Sequence, residues 1–424
     1  MIRRSGFRSA ILALFGAQGF GFVISFIQVP ILTRALSPEG FGVYAFCNLL
    51  ILLLTTVIAY ASNNTAILAF RRHAASPLRR SLVFWNQFGA QLAIAIGASI
   101  PLAVAIALLP ELRQEAASYA LLIPFALANA VYCPWIFSAL ERFRTLSRFG
   151  IATRLLGLAL VAAFVRDRAD IWLAVASIVL PNIAIAFLFV LLMWRENILV
   201  PVAPARWRWR RVLAHDVFIA MSSLVVVVQG NAALLVARFT LDGHDYGLLA
   251  FADRFRFIAQ MVVGTLGLVL FSRYCSARLA SWEKGARIGR LSAAALVGSG
   301  GALALLVALF APWIVALLGG RHFAEALVPT LWMTAAMPLI GLNYYLTYFV
   351  LNVFGMARAQ LVGLLALSLG AVMLMHLPAL RTPVAVAALV VAVECVRALI
   401  ACAIIRRAGH AMLAPGMALR PRTA

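Results

Sequence analysis

The sequence predicts an all-α polytopic membrane protein, with about twelve transmembrane helices in two pseudo-symmetric six-helix lobes. Three observations carry this expectation. Of 424 residues, 64% are hydrophobic and only 12% are charged, against about 45–50% and about 25% in a soluble domain. No soluble fold hides so much apolar side chain. The apolar runs are also about 20 residues long, which suits a membrane-crossing helix and not the short alternating segments of an outer-membrane barrel. Finally, Lys and Arg alternate between the two sides of those runs, 26 against 7, with Arg254, Arg256 and Arg397 left inside spans.

The runs fall at 9–32, 40–61, 82–109, 116–138, 148–165, 170–193, 215–238, 246–271, 290–318, 325–351, 359–377 and 383–405. The first follows Arg3, Arg4 and Arg8 as a signal peptide would. It is long and lacks a small-residue cleavage site, so it reads as a retained span. Pro38 and Gly40 separate the first two runs, and Ser62, Asn63 and Asn64 close the second. Only Arg166, Asp167, Arg168 and Asp170 divide the fifth from the sixth.

The basic side is cytoplasmic by the positive-inside rule, which places both termini there. It also explains the net charge of +22 without nucleic acid. The longest cytoplasmic connection, 194–214, lies at mid-chain and carries Trp207 and Trp209 among Arg206, Arg208, Arg210 and Arg211. That interleaving suits anionic lipid headgroups. The domain reading is therefore a first lobe at 1–193, a basic linker at 194–214, a second lobe at 215–405 and a cytoplasmic tail at 406–424. Five cysteines are scattered through apolar runs with no CxxC pair, which argues against a metal or disulfide role.

A faint repeat crosses the midpoint. TRALSPEGFGVYAF at 33–46 resembles ARFTLDGHDYGLLAF at 237–251, pairing Arg34 with Arg238, Gly42 with Gly247, Ala45 with Ala250 and Phe46 with Phe251. Six spans per half and repeat starts on one side make this a parallel repeat, a plan that commonly builds transporters. Arg34 and Arg238 read as helix-end markers that bind last-turn carbonyls.

The eighth run carries Asp253, Arg254 and Arg256 well inside apolar sequence, where charge is costly and marks function. Asp253 and Arg256 are i,i+3 and can pair on one face. Arg254 and Arg256 point about 200° apart, so only one can face a cavity centre. Arg256 is the favoured cation, with a purely structural bridge to Asp253 as the alternative reading. Glu394 and Arg397 repeat the i,i+3 spacing in the last span, either as a structural pair or with Glu394 as an ion-coupling carboxylate. Arg154 is a third cation, unless it marks the cytoplasmic end of its span. There is no nucleophile elbow, P-loop or metal constellation, so no catalytic residue, metal or cofactor is assigned, and ATP hydrolysis within the chain is excluded.

The N-terminal span ending Leu32-Thr33-Arg34-Ala35-Leu36 and the Glu39–Tyr44 hairpin, with its counterpart Asp245-Tyr246-Gly247 leading to Ala252-Asp253-Arg254, resemble the oligosaccharide flippases of the polysaccharide transporter family. These belong to the multidrug/oligosaccharidyl-lipid/polysaccharide exporter superfamily. The resemblance implies a V-shaped, two-lobed transporter with a central cavity open alternately to each side. The implied substrate is an undecaprenyl-pyrophosphate-linked oligosaccharide bound for O-antigen, capsule or exopolysaccharide. A polysaccharide polymerase and chain-length proteins are the implied partners, beside membrane lipids. Arg256, Arg254 and Arg154 would then take the pyrophosphate, and Asp253 and Glu394 the coupling ion. Gln28, Asn63, Asn231 and Asn343 fall on helices that would line the cavity and serve the glycan, while Tyr344, Tyr345 and Tyr348 would stack on sugars or form an interface belt. The same fold also fits a cation-coupled multidrug exporter or a lipid II flippase. A membrane-embedded polymerase or glycosyltransferase fits less well, because no periplasmic loop exceeds about ten residues and such enzymes build their sites on large ones.

Overall fold

The computed structural model describes residues 19–412 apart from positions 22, 25, 61, 63, 64, 74, 75 and 203–207. The described residues contain helices and no strand. Among them, ten helical segments are long and apolar enough to cross a membrane, and two shorter apolar helices, Gly19–Ala35 and Arg358–Leu374, stand where the first and eleventh runs were expected. The helical, polytopic expectation is therefore met, with full-length helices at ten of the twelve runs and a shorter helix at each of the other two.

The chain forms two compact units. Unit 1 is Met1–Ala250 with Val315–Ala324, and unit 2 is Phe251–Ile314 with Glu325–Ala424. The first helices of unit 1 are α1 (Gly19–Ala35), α2 (Pro38–Ala59), α3 (Thr65–Arg72) and α4 (Pro77–Leu108). The short α5 (Pro110–Arg113), α6 (Ala116–Ala120), α7 (Leu122–Val131) and α8 (Pro134–Ala139) follow. Then come α9 (Phe143–Phe164), α10 (Ile171–Arg195) and α11 (Trp209–Thr240). Helix α12 (Gly243–Ala280) begins in unit 1 and continues into unit 2. Unit 2 adds most of α13 (Trp282–Gly319), then α14 (Leu327–Tyr344), α15 (Ala357–Leu374) and α16 (Pro383–Met412).

The helix boundaries follow from local chemistry. Helix α2 starts with Pro38 at its first position, and the Ser37 hydroxyl accepts from Gly40 N at 3.4 Å. Proline loses nothing there, and the serine satisfies one orphan amide. The four-residue break between the fifth and sixth spans works because aspartates cap it. Asp167 Oδ1 accepts from Ala169 N at 2.8 Å, and Asp170 Oδ2 accepts from Arg166 N at 2.9 Å. The fourth span is broken before Pro134, which cannot donate into a continuing helix.

In unit 1 the mid-chain connection is strapped down at both ends. Ile198, Leu199 and Val202 are buried, Val200 N donates to Ser81 Oγ at 2.7 Å, and Trp85 Nε1 donates to Val200 O at 3.2 Å. At the far end Trp209 lies against Gly89, where a built Cβ would stand 3.1 Å from Trp209 Cβ. Trp209 is half-buried by this contact. The missing side chain at Gly89 lets the indole settle on α4, with Arg210 beside its ring. Trp207 lies outside the described residues.

The repeat motifs meet within unit 1. A Cβ on Gly42 would stand 3.3 Å from Gly247 Cα, and a Cβ on Gly247 would overlap the Pro38 carbonyl. The two glycines matched by sequence thus form one backbone-to-backbone contact, the small-residue approach by which helices associate in lipid. The two matched arginines behave as helix-end groups. Arg34 donates to Leu317 O at 3.3 Å, in the last turn of α13, and Arg238 donates to Glu111 O at 3.0 Å.

Gly247→Ala should lower the melting temperature of the detergent-solubilised protein by an overpacking cost of about 1–3 kcal/mol. Gly243→Ala should be close to neutral, because its Cβ would meet Glu39 Cγ at an ordinary 3.4 Å. Equal melting temperatures for the two variants would refute the contact.

Candidate functional site

The polar side chains singled out in unit 2 converge inside its helix bundle. On α12, Arg256 Nε donates to Asp253 Oδ1, so the i,i+3 pair forms as the spacing predicts. Arg256 is only 1% exposed and Asp253 8%. On α16, Glu394 is 3% exposed and lies 3.8 Å from Arg397 Nη1 through Oε2. Asn343 on α14 binds the same residue twice, donating to Glu394 Oε2 at 2.6 Å and to its main-chain oxygen at 2.9 Å. The Glu394 charge also acts on Arg256. Two acids and two bases therefore neutralise one another in an apolar bundle, and Asn343 ties α14 to α16.

This arrangement changes the roles expected of the two neighbouring arginines. The pairing of Arg256 with Asp253 is as expected, but its guanidinium is sealed in protein and does not face an open cavity in this conformation. The physical reason is the pairing itself: Asp253, one turn away on the same face of α12, is buried too and holds the cation inside. Arg254, about 200° round the helix, is half-buried and the more accessible of the two.

Next to this cluster the last helical turns before residue 352 widen into a π-helical segment, Tyr345–Leu351. Such turns recur at functional sites. Thr347 Oγ1 accepts there from Gln360 Nε2 of α15 at 2.7 Å. No sequence signal marks this segment. The three tyrosines separate. Tyr344 lies against Gly267 and contacts Tyr348 with ring centroids 4.4 Å apart, Tyr345 stacks on Phe349, and Tyr348 remains 39% exposed. Tyr345 is thus core packing, and Tyr348 is the exposed one of the three.

The remaining candidates belong to unit 1. Gln28 on α1 and Arg154 on α9 come together on facing helices. A Cβ on Gly21 of α1 would overlap the Arg154 guanidinium, and Gln28 Nε2 stands 3.7 Å from a Cβ built on Gly157 of α9. Arg154 is exposed. Asn231 on α11 is half-buried and turns back on its own helix, donating to Val227 O at 2.8 Å. Asn63 lies outside the described residues. A further buried acid escaped the sequence reading. Asp216, 4% exposed, accepts from Thr65 Oγ1 at 2.7 Å and meets His215 Nδ1 at 2.7 Å. Its position at the start of the seventh apolar run gave no hint of burial.

Comparison with known proteins adds the following. Residues 8–272 match the family described as "Polysaccharide biosynthesis protein". The chain is 23% identical over 336 residues to the "Putative O-antigen transporter" of Escherichia coli (strain K12), covering 79% of this chain and 81% of that one. A protein of the same description from Shigella dysenteriae is 25% identical over 278 residues, covering 62% of this chain and 66% of that one. Among solved structures, the lipid II flippase MurJ in an inward closed conformation superposes with a TM-score of 0.69 at 11% identity, over 93% of this chain and 87% of that chain. An inward-facing multidrug resistance MATE family transporter of the MOP superfamily gives 0.64 at 12% identity, over 95% and 98%. At such identities the likeness concerns the fold.

The sealed pair makes a stability prediction. Arg256→Met leaves Asp253 buried and uncompensated, and should destabilise by about 3–5 kcal/mol. The double change Asp253→Asn with Arg256→Met should recover most of that loss in a thermal melt. A double variant as unstable as the single one would show that the pair is not the source of the penalty.

Proposed function

The chain belongs to the polysaccharide biosynthesis protein family, and from that premise we propose that it is a flippase. It carries an undecaprenyl-pyrophosphate-linked oligosaccharide from the cytoplasmic to the periplasmic leaflet by alternating access, in the making of O-antigen, capsule or exopolysaccharide. It is a transporter and not an enzyme, set in the bacterial inner membrane with both termini cytoplasmic. A polysaccharide polymerase and chain-length proteins are its pathway partners. The repeat supports a first half at 1–193, a linker at 194–214, a second half at 215–405 and a tail at 406–424.

The observation that carries this reading is Arg154. Helix α9 has 22 residues, about 33 Å, barely enough to cross a hydrocarbon core of about 30 Å. It has no spare turn to lift its twelfth residue to the surface. Arg154 therefore lies between one and two turns deeper into the span than Arg148, and it is exposed. A charge so placed belongs against a water-filled path and not against lipid tails. A planar guanidinium there suits a pyrophosphate, whose oxygens it can bind in pairs.

Roles follow from accessibility. Arg154 and Arg254 are the first cations for the pyrophosphate, and Arg256 joins only if the bundle around it parts. Gln28, Asn63 and Asn231 serve the glycan together with Tyr348, while Asn343, expected to do the same, is buried and holds Glu394 instead. Asp253 and Glu394 are the carboxylates for a coupling ion, since each changes the balance of a buried neutral network when protonated.

Loss of a charge-assisted contact costs about 1.5–3 kcal/mol, so Arg154→Ala should cut surface glycan roughly ten- to hundred-fold in cells that depend on this chain. The amount of protein in the membrane, measured by immunoblot, should not change. Arg154→Lys should retain partial activity. Normal glycan in Arg154→Ala would favour a carrier of cationic or neutral cargo, such as a drug exporter, and remove the proposal.

A further inference from the structure

We infer that Gly21 is the seat of Arg154, a positioning residue that sets where the guanidinium is presented. This rests on the reading of Arg154 as a substrate cation and names what holds it in place. Side chains on a helix lean toward its N-terminus. From α9 the Arg154 stem runs back in that direction, and its guanidinium lands on α1 at Gly21. The two groups cannot coexist if position 21 carries a side chain, because the first atom added to Gly21 overlaps Arg154 Nη1.

Two neighbouring glycines show that this is specific. Gly19, half a turn earlier on α1, has nothing within 4 Å of a built Cβ. Gly157, one turn beyond Arg154, presses α9 onto α10, its built Cβ standing 2.9 Å from Ser177 O. The backbone of α9 is therefore pinned beside Arg154. A methyl at position 21 meets the movable end of a flexible side chain and not main chain. Gly21→Ala should leave the helices where they are and displace only the guanidinium. Gly21, although it touches no substrate, then decides whether the planar fork points its N–H groups along the path a pyrophosphate takes.

A binding measurement on the detergent-solubilised full chain tests this. The melting temperature is read with undecaprenyl pyrophosphate and with undecaprenol, which has the same tail and no phosphate. In the wild type and in Gly19→Ala, pyrophosphate should raise the melting temperature and undecaprenol should not. In Gly21→Ala the unliganded melting temperature should match wild type, while the concentration of pyrophosphate needed for half the shift rises about tenfold, as for loss of one charge-assisted contact. Arg154→Ala should show a similar loss. Adding Gly21→Ala to Arg154→Ala should change nothing further, since residues that act as one unit are not additive.

A wild-type response in Gly21→Ala beside a defective Arg154→Ala would overturn the inference alone. So would an equal further loss when Gly21→Ala is added to Arg154→Ala. A wild-type response in Arg154→Ala would overturn the substrate reading and the inference together. If Gly21→Ala melts early, the double variant decides. Recovery locates the clash at Arg154, and failure to recover refutes the seat.

Discussion

A charge inside an apolar helical bundle has no water to turn to, and the rest of this structure is arranged around that constraint. In unit 2, Asp253 and Arg256 pair along one turn of α12, Glu394 and Arg397 repeat the arrangement on α16, and Asn343 bridges α14 to Glu394. Paired in this way the four charges sum to zero, and the helices that carry them are held in register. The same network contributes little net stability over an apolar packing of equal volume.

Glycine does the complementary work. Without a hydrophobic force between helices in lipid, close approach must come from small side chains. Gly42 meets Gly247 in unit 1, and in unit 2 Gly300 lies on the Met337 carbonyl while Gly341 lies on the Leu296 carbonyl. These reciprocal contacts bring backbones together without cavities. Gly21 belongs to the same class by composition but differs in what covers it, since its neighbour is a guanidinium and not a backbone.

Much of the fold was legible before any coordinates. Runs of about 20 apolar residues become helices because a backbone in lipid must satisfy its own hydrogen bonds. Ten of the twelve runs become full-length helices, and the other two shorter ones, because this rule leaves few alternatives. The repeat was legible for a similar reason: Gly42 and Gly247 stand at matched positions where only glycine permits the contact seen. The i,i+3 pairs were legible from spacing alone. The strap of residues 198–202 on α4, the π-helical turn at Tyr345–Leu351 and the burial of Asp216 were not, because each depends on a partner distant in sequence.

Chain composition and periodicity thus decided that helices cross the membrane, where they begin and which neighbours on one helix can touch. They also decided that Arg254 and Arg256 point in nearly opposite directions. They could not decide which of the two is enclosed, because the helical period fixes angles between residues on one helix but not the rotation of that helix against its neighbours. Only tertiary packing settles that, and it encloses Arg256 with Asp253 while leaving Arg254 half-buried. In the same way, only the packing of α1 against α9 gives Arg154 its place on Gly21.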